Sequence, residues 1–561
     1  MLILTAPLAG RFFLARVAAV AGGSWHRRFR CRLTRAIHAR RPILPPMLRR
    51  KAMRFHDRLS RSVLACIVLV VAIAGGASVA CADLAADLAE IARKSGIATQ
   101  RIAYSVHDVR LNQDLAGLNA LAPMAPASNM KVVTTGAALV ALGSDFRFET
   151  TLWLDRANGT VRLTLVGSGD PALDDPELRA RDPHGIEELS KLWAEALRAQ
   201  GVTRVDELVV DARIFDSEGY HPSWPKEQYP NAYCAEVWGL NLARNVVGIT
   251  PNPASGGKPS VSFTPAFELP IARNNATSNA KAKFSFSASR PFDSNTLTLR
   301  GNVDKRPTAP LGLTVHNTPV LTAELLQRRL AQHGVAVMSA RVARADDPRA
   351  AGVIVPPVHA TPIATVLERA NTDSENLYAE ALLKRMGAAI ANVSAAAADT
   401  RPDASFASGS WTNGRAALRA AIAEVLGPEI LSEWTLDDGS GLSQENRLTA
   451  SGLTEWHATF ARDPKLAPVY FGSLAIAGKT GTVRRRFPDL ADGPVEVRCK
   501  TGYIRGVSTL SGLAIAPDGR AIAFSILGNN LAQGDQIARA RSMQEAMVRR
   551  IVRELAPPAP R

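Results

Sequence analysis

The apolar residues of this chain change spacing several times, and each change marks an element. Leu84, Leu88 and Ile91 fall on one face of a short opening helix that ends at Gly96. Ile102 to Val109 reads as a strand with a polar turn after it, and the chain returns through Leu118-Asn119-Ala120. After Pro126 the run Val132 to Val140 is apolar nearly all the way round, as suits a helix buried at a domain centre. Near residue 150 the texture turns to strands, Thr151 to Leu154 and Val161 to Val166, about the turn Arg156-Ala157-Asn158-Gly159. A loop at Gly167-Ser168-Gly169-Asp170-Pro171, a helix through Leu189, Leu192, Ala196 and Leu197, and a strand at Glu207 to Val210 follow.

Residues 216–304 have little periodicity and many Pro, Asn, Ser and Gly residues; Val261-Ser262-Phe263 and Phe284-Ser285-Phe286 point to a small β module there, the alternative being a long irregular insertion. Helical spacing returns at Leu321, Leu325, Leu326 and Leu330. The link Val355-Pro356-Pro357-Val358-His359 then marks re-entry into the first domain. Leu367 belongs to one helix and Leu377, Leu382 and Leu383 to the next, with Thr372-Asp373-Ser374-Glu375-Asn376 between them. Asp437 to Ser443 is a tight turn before a helix from about Thr449. Val495 to Ile504, Val507 to Ala516 and Ala521 to Leu527 form a three-strand meander. Ile537, Ala540, Met543, Met547, Ile551 and Leu555 line one face of a closing helix, either packed on the sheet or lying on a membrane surface. The expected organisation is a leader over 1–82, a first domain in two parts (83–150 and 351–556), an inserted domain over 151–350 with the module at 216–304 nested in it, and a tail over 557–561.

Charge alters this picture at one end only. The net charge of +16 suggests nucleic acid, but residues 1–82 hold 15 Lys and Arg against Asp57 alone, leaving 52 basic and 50 acidic residues elsewhere. No nucleic-acid partner is implied. Arg50, Lys51, Arg54, Arg58 and Arg61 precede the apolar run Val63 to Ala74, and Ala80-Cys81-Ala82 offers an A-x-A site, so this is read as a secretory signal cleaved after Ala82, with a lipoprotein at Cys81 as the alternative. A periplasmic protein is expected. Cys234 and Cys499 then remain, and are expected as unpaired thiols.

Ser128 lies at the first turn of the buried helix and Lys131 one turn on, a nucleophile with a base on the same face. Unpaired N–H groups at that helix start favour negative charge developing during attack on a carbonyl. Ser374 and Asn376, at i and i+2 of an inter-helix loop, can point into one cleft. Lys-Thr-Gly occurs at Lys479-Thr480-Gly481 and at Lys500-Thr501-Gly502. Only the second lies on a strand, where a lysine, a hydroxyl and a glycine make a carboxylate-binding edge. A phosphate loop at Gly472 to Thr480 fails because five residues separate Gly472 from Gly478 where four are required, and no histidines fall in paired metal-ligand spacing.

Ser128-x-x-Lys131, Ser374-x-Asn376 and Lys500-Thr501-Gly502 occur in the order of the penicillin-recognising serine enzymes. With Gly167-Ser168-Gly169-Asp170-Pro171 and Asp438-Gly439-Ser440-Gly441-Leu442, the chain resembles the D-alanyl-D-alanine carboxypeptidase/endopeptidase family of low-molecular-mass penicillin-binding proteins (class C type). The resemblance implies an α+β catalytic domain, an antiparallel sheet covered by helices, with two inserted domains, mainly β or mixed; the 246 positions between Ser128 and Ser374 leave room for them. It also implies roles. Ser128 attacks the peptide carbonyl, Lys131 is one of two candidates for the base and the one taken here, its pKa lowered by burial and by Lys500, and Ser374 relays the proton to the leaving amine. Asn376 holds the substrate amide, Lys500 and Thr501 bind the terminal carboxylate, Gly502 admits the ligand to the backbone, and the N–H groups of Ser128 and Tyr503 hold the oxyanion. Peptidoglycan stem peptides and β-lactams are the implied partners, without metal or cofactor. Tyr503 stands where a small Thr is common, which narrows the cleft, and Lys479-Thr480-Gly481 is read as coincidence. A β-lactamase and a catalytically silent peptidoglycan-binding protein are the alternatives, the latter opposed by the intact Ser, Lys, Ser, Asn and Lys set.

Overall fold

The structure, a computed structural model, describes residues 83–397 and 409–556, apart from Asn158 and Pro183. The leader with its cleavage site, the residue Asn158 of the first predicted turn and the tail from Pro557 lie outside the described residues.

A six-stranded antiparallel sheet runs in the order Ala475–Ile476, Glu496–Ile504, Val507–Ile515, Ala521–Gly528, Ile102–Asp108, Gln113–Leu118. The meander supplies its middle and the first hairpin extends it. Its two-residue period sends Ile522, Phe524 and Ile526 to one face and Ala521, Ala523 and Leu527, with two small residues among them, to the other. Residues 83–94 and the closing helix Asp535–Leu555 cover the first face, burying Ile537, Ala540, Met543, Met547, Ile551 and Leu555. That stripe is spent on the sheet, so the closing helix has no free apolar face for a membrane. The small residues of the other face let the helix Ala450–Arg462 approach until Thr454 Oγ1 donates to the Ser105 carbonyl at 3.2 Å. Behind it lies the helix Met130–Leu142. Twelve of its 13 residues are buried, as its all-round apolar pattern requires.

The inserted sheet has five strands in the order Ala340–Val342, Glu207–Asp211, Thr160–Val166, Arg147–Ala157, Val353–Pro362, packed on the helices Ile186–Ala199 and Thr318–Gln332. Its limits differ from those expected. The sheet begins at Arg147, and the Pro-rich stretch is its edge strand rather than a link, bulged between Val355 and His359. Two prolines fit that bulge because no ladder N–H is needed there.

The β module is also displaced. Its two three-stranded sheets lie between Val246 and Thr314. Val261-Ser262-Phe263 falls within the strand Ser260–Thr264, but Phe284-Ser285-Phe286 precedes the strand Ser287–Ser289, with Phe286 buried and Phe284 exposed. Residues 216–245 form no strand. Their backbone is satisfied by turn hydrogen bonds, such as Val237 N–H to the Gly219 carbonyl, and by side chains: Asn245 Nδ2 donates to the Glu236 carbonyl and Asn241 Nδ2 to that of Trp238. Cys234 and Cys499 are both buried and unpaired.

Candidate active site

Ser128 sits in a single 3-10 turn, Ala127–Asn129, that leads into the buried helix. The chain enters this turn through Ala127 at φ +46°. Such a left-handed conformation costs a residue with a Cβ about 1–3 kcal/mol and persists only where its surroundings over-determine it. Here they do. The Pro126 carbonyl accepts from Asn129 N–H at 3.1 Å and from Thr509 Oγ1 at 2.8 Å. Asn129 Nδ2 donates to Thr509 at 2.6 Å and its Oδ1 accepts from Ser511 Oγ at 2.5 Å. Ser511 in turn meets His457 Nε2 at 2.9 Å, and burial pushes His457 down to about 3, so the ring is neutral. Gly441, at φ +78°, presses so close from the opposite side that a Cβ there would stand 1.8 Å from the Ala127 carbonyl oxygen.

Lys131 is fully buried, and its Nζ has three contacts: Ser128 Oγ at 3.0 Å, Asn376 Oδ1 at 2.6 Å and the Ser440 carbonyl at 2.8 Å. The last two can only accept. A neutral amine therefore keeps both bonds and turns its lone pair toward the Ser128 hydroxyl. Burial pushes Lys131 down to about 8, opposed by the charges of Asp438, Glu380 and Glu375.

Asn376 begins the helix Asn376–Ala397, and both ends of its amide are engaged within the protein, since Nδ2 donates to the Tyr233 carbonyl at 2.7 Å. Its Oδ1 thus holds the Lys131 amine, while Nδ2 carries a second hydrogen besides the one given to Tyr233. Ser374, at φ +66° on the preceding loop, accepts from Lys500 Nζ at 2.8 Å; Lys500 also donates to the Thr501 carbonyl at 2.8 Å. Burial first, and the facing Lys131 second, push Lys500 well below its ordinary value. The strand Ala475–Ile476 pairs with Arg498 and Cys499, so among the described residues no strand covers the edge from Lys500 to Ile504. A Cβ on Gly502 would lie 2.1 Å from Thr509 Oγ1 and 3.0 Å from Ser128 N. The backbone of this edge thus runs beside the nucleophile's own N–H. Thr501 Oγ1 donates to Thr482 Oγ1 at 2.8 Å, and Tyr503, half exposed, donates to Gln533 Oε1 at 3.2 Å while Arg541 lies over its ring.

The sequence model of the D-Ala-D-Ala carboxypeptidase 3 (S13) family matches residues 84–552. The chain belongs to this family. It is 29% identical over 453 residues to a D-alanyl-D-alanine carboxypeptidase of an Actinomadura species, covering 76% of this chain and 77% of the relative. The crystal structure of penicillin binding protein 4 from Haemophilus influenzae is similar in fold, with a TM-score of 0.64 and 23% identity, over 80% of this chain and 96% of that one. The same Haemophilus protein has been solved with a β-lactam, and that complex has a TM-score of 0.59 to this chain, again at 23% identity, over 80% of this chain and 94% of that one.

Around this S13 site stand groups whose contacts the sequence motifs do not reveal. The Ser440 carbonyl holds Lys131, the Tyr233 carbonyl holds Asn376, and Glu380 holds the turn that carries Ser440 through the N–H groups of Gly439 and Ser440. Backbone carbonyls leave no mark in a sequence. Glu380 does leave one, as an acid embedded among Leu377, Leu382 and Leu383 four residues after Asn376.

Proposed function

We propose that Ser128 and Lys131 are the acylation pair of this S13 serine carboxypeptidase, acting on the D-Ala-D-Ala end of peptidoglycan stem peptides. The observation that carries this is the buried Lys131 amine 3.0 Å from Ser128 Oγ, with its other two contacts occupied by acceptors. Lys131 takes the hydroxyl proton as Ser128 Oγ bonds to the carbonyl carbon between the two D-alanines. The negative oxygen forms beside the N–H groups of Ser128 and Tyr503. As the carbon–nitrogen bond breaks, the proton passes through Ser374 to the departing D-alanine amine. Water then releases the shortened peptide and frees Ser128. Lys500 and Thr501 receive the terminal carboxylate, and a negative ligand there restores the positive charge that burial and Lys131 disfavour on Lys500.

A β-lactam offers the same carbonyl and carboxylate and should acylate Ser128. Among the described residues no helix is long and apolar enough to cross a membrane. With the Arg-rich, apolar and A-x-A order of residues 50–82, this supports export to the periplasm. Fluorescent penicillin and D-alanine release from a pentapeptide test the reading together. Wild type is expected to label covalently and release D-alanine, and Ser128→Ala to do neither. Folded wild type that takes no label and leaves both compounds intact would refute it; rapid penicillin hydrolysis without D-alanine release would indicate a β-lactamase.

A further inference from the structure

The helix Asn376–Ala397 carries three polar residues four apart on one buried line: Asn376, Glu380 and Lys384. Asn376 grips Lys131. Glu380 accepts from Ser440 N–H at 2.7 Å, from Gly439 N–H at 3.1 Å and from Trp411 Nε1 at 2.9 Å. Lys384 Nζ lies 3.7 Å from the centre of the Trp411 ring and donates to Asp216 Oδ1 at 2.8 Å and to the Glu218 carbonyl at 2.6 Å. Every partner of the Glu380 carboxyl is therefore a donor. A proton on it would face N–H groups and break at least one bond, so the carboxylate is the form this pocket fits. Beside it Asp438 is held in the same way, by Gly441 N–H, Ser443 N–H, Asn446 Nδ2 and Trp224 Nε1.

We propose that Glu380 is a positioning residue for Lys131, fixing the Ser440 carbonyl against the lysine amine and supplying negative charge that sets when that amine gives up its proton. This rests on the reading of Lys131 as the acylation base. The charged and titratable groups in play come from every packed element. Glu375 on the loop, Asp438 on the facing turn and Glu380 act on Lys131, which in turn faces Lys500 on the strand edge; Asp438, Lys384 and Cys234 face Glu380. Burial and the neighbouring charge of Asp438 push Glu380 above the ordinary carboxylate range, its donors resisting, and a pocket made only of donors keeps the carboxylate beside Lys131. Glu380→Gln removes that charge, which favours the neutral amine and lowers the lysine's pKa. It also sets an amide N–H against a backbone or indole N–H, loosening the turn.

The test is the rate of Ser128 acylation by a penicillin in the whole protein from pH 6 to pH 10. In wild type it should rise through about pH 8 as Lys131 loses its proton. In Glu380→Gln the rising limb should move to lower pH by about half a unit to one unit, with a lower plateau. Trp411→Phe keeps a ring over Lys384 and removes one donor, so the less stable carboxylate protonates more readily and the limb should move the same way by less. A merely structural role would lower the plateau and leave the limb in place, and that result in either folded variant overturns the proposal. Should Glu380→Gln not fold, Trp411→Phe decides alone. Absence of Ser128-dependent acylation in wild type would be a different failure, one that sinks the parent reading first and this inference with it.

Discussion

The tripeptide Lys-Thr-Gly occurs at residues 479–481 and again at 500–502, and the two copies behave as unrelated structures. In the second, the strand Glu496–Ile504 sends alternate side chains to opposite sides. Lys500 goes inward to Ser374, Thr501 stands at the open edge, and Gly502 lets the backbone pass Ser128. In the first, the chain turns. Lys479 is exposed, Thr480 Oγ1 is occupied by the Ile476 N–H at 2.8 Å, and Gly481 at φ +52° packs on the Thr372 carbonyl. Only the residue after it, Thr482, touches the cleft, through Thr501. Identical residues thus acquire different chemistry because a strand holds lysine, hydroxyl and backbone in fixed relative directions, whereas a turn uses up the hydroxyl for itself.

The sharpest way to break the comparison is to remove each lysine in turn. Lys500→Ala strips the carboxylate of its partner and Ser374 of its donor. Truncating one member of such a buried pair costs about 2–5 kcal/mol, which is roughly 30-fold or more in kcat/KM for a D-Ala-D-Ala peptide. A methyl ester of the same peptide should lose far less. Equal losses for acid and ester would remove carboxylate binding from Lys500.

The two glycines offer a smaller but cleaner contrast, because neither tolerates a Cβ and the obstacles differ. In Gly502→Ala the methyl meets Thr509 Oγ1, the Pro126 carbonyl and Ser128 N, all of which fix the nucleophile's turn. In Gly481→Ala it meets the Thr372 carbonyl at 2.1 Å from a left-handed backbone. Both should lower the melting temperature, by about 1–3 kcal/mol in stability. Only Gly502→Ala should also slow acylation of the folded protein, by about tenfold or more, since a misplacement of about 1 Å at reacting atoms can cost 10²-fold. Stopped-flow acylation below the melting temperature separates the two, and a Gly481→Ala enzyme slowed as much as Gly502→Ala would erase the distinction.

How much of this was legible in the sequence follows from the same contrast. The meander announced itself by period-two alternation, and a strand context was enough to choose between the copies. The nucleophile's helix was legible because Val132 to Val140 has no polar face. The limits of the inserted sheet were not, because Pro356-Pro357 signals a break in a chain whose edge strand absorbs both prolines in a bulge. Asn376 was legible as a site residue but its partners were not: Tyr233, 143 positions earlier, reaches it through a carbonyl. Glu380 carried a readable signal, an acid on an apolar helix face, and its meaning depended on a turn 58 to 60 positions away, at Asp438 to Ser440.

The smallest expected effect bears hardest on the comparison. Lys479→Ala changes an exposed side chain on a turn whose backbone bonds run through Ile476, Thr480 and Val483. An exposed charge that far from a buried pair is screened by solvent. Acylation rate and D-alanine release should therefore stay within about twofold of wild type, and the melting temperature should shift by no more than an ordinary surface substitution allows, within about 0.5 kcal/mol. Thr482→Val, three residues on, should act differently. It removes the hydroxyl that accepts from Thr501, leaving that donor free to turn toward solvent or ligand, so KM for the acid peptide should change while kcat does not. If Lys479→Ala instead lowered kcat/KM tenfold at low salt and recovered at high salt, the exposed lysine would be steering the anionic peptide toward the cleft, and the first copy would have a part in binding that its turn geometry alone denies it.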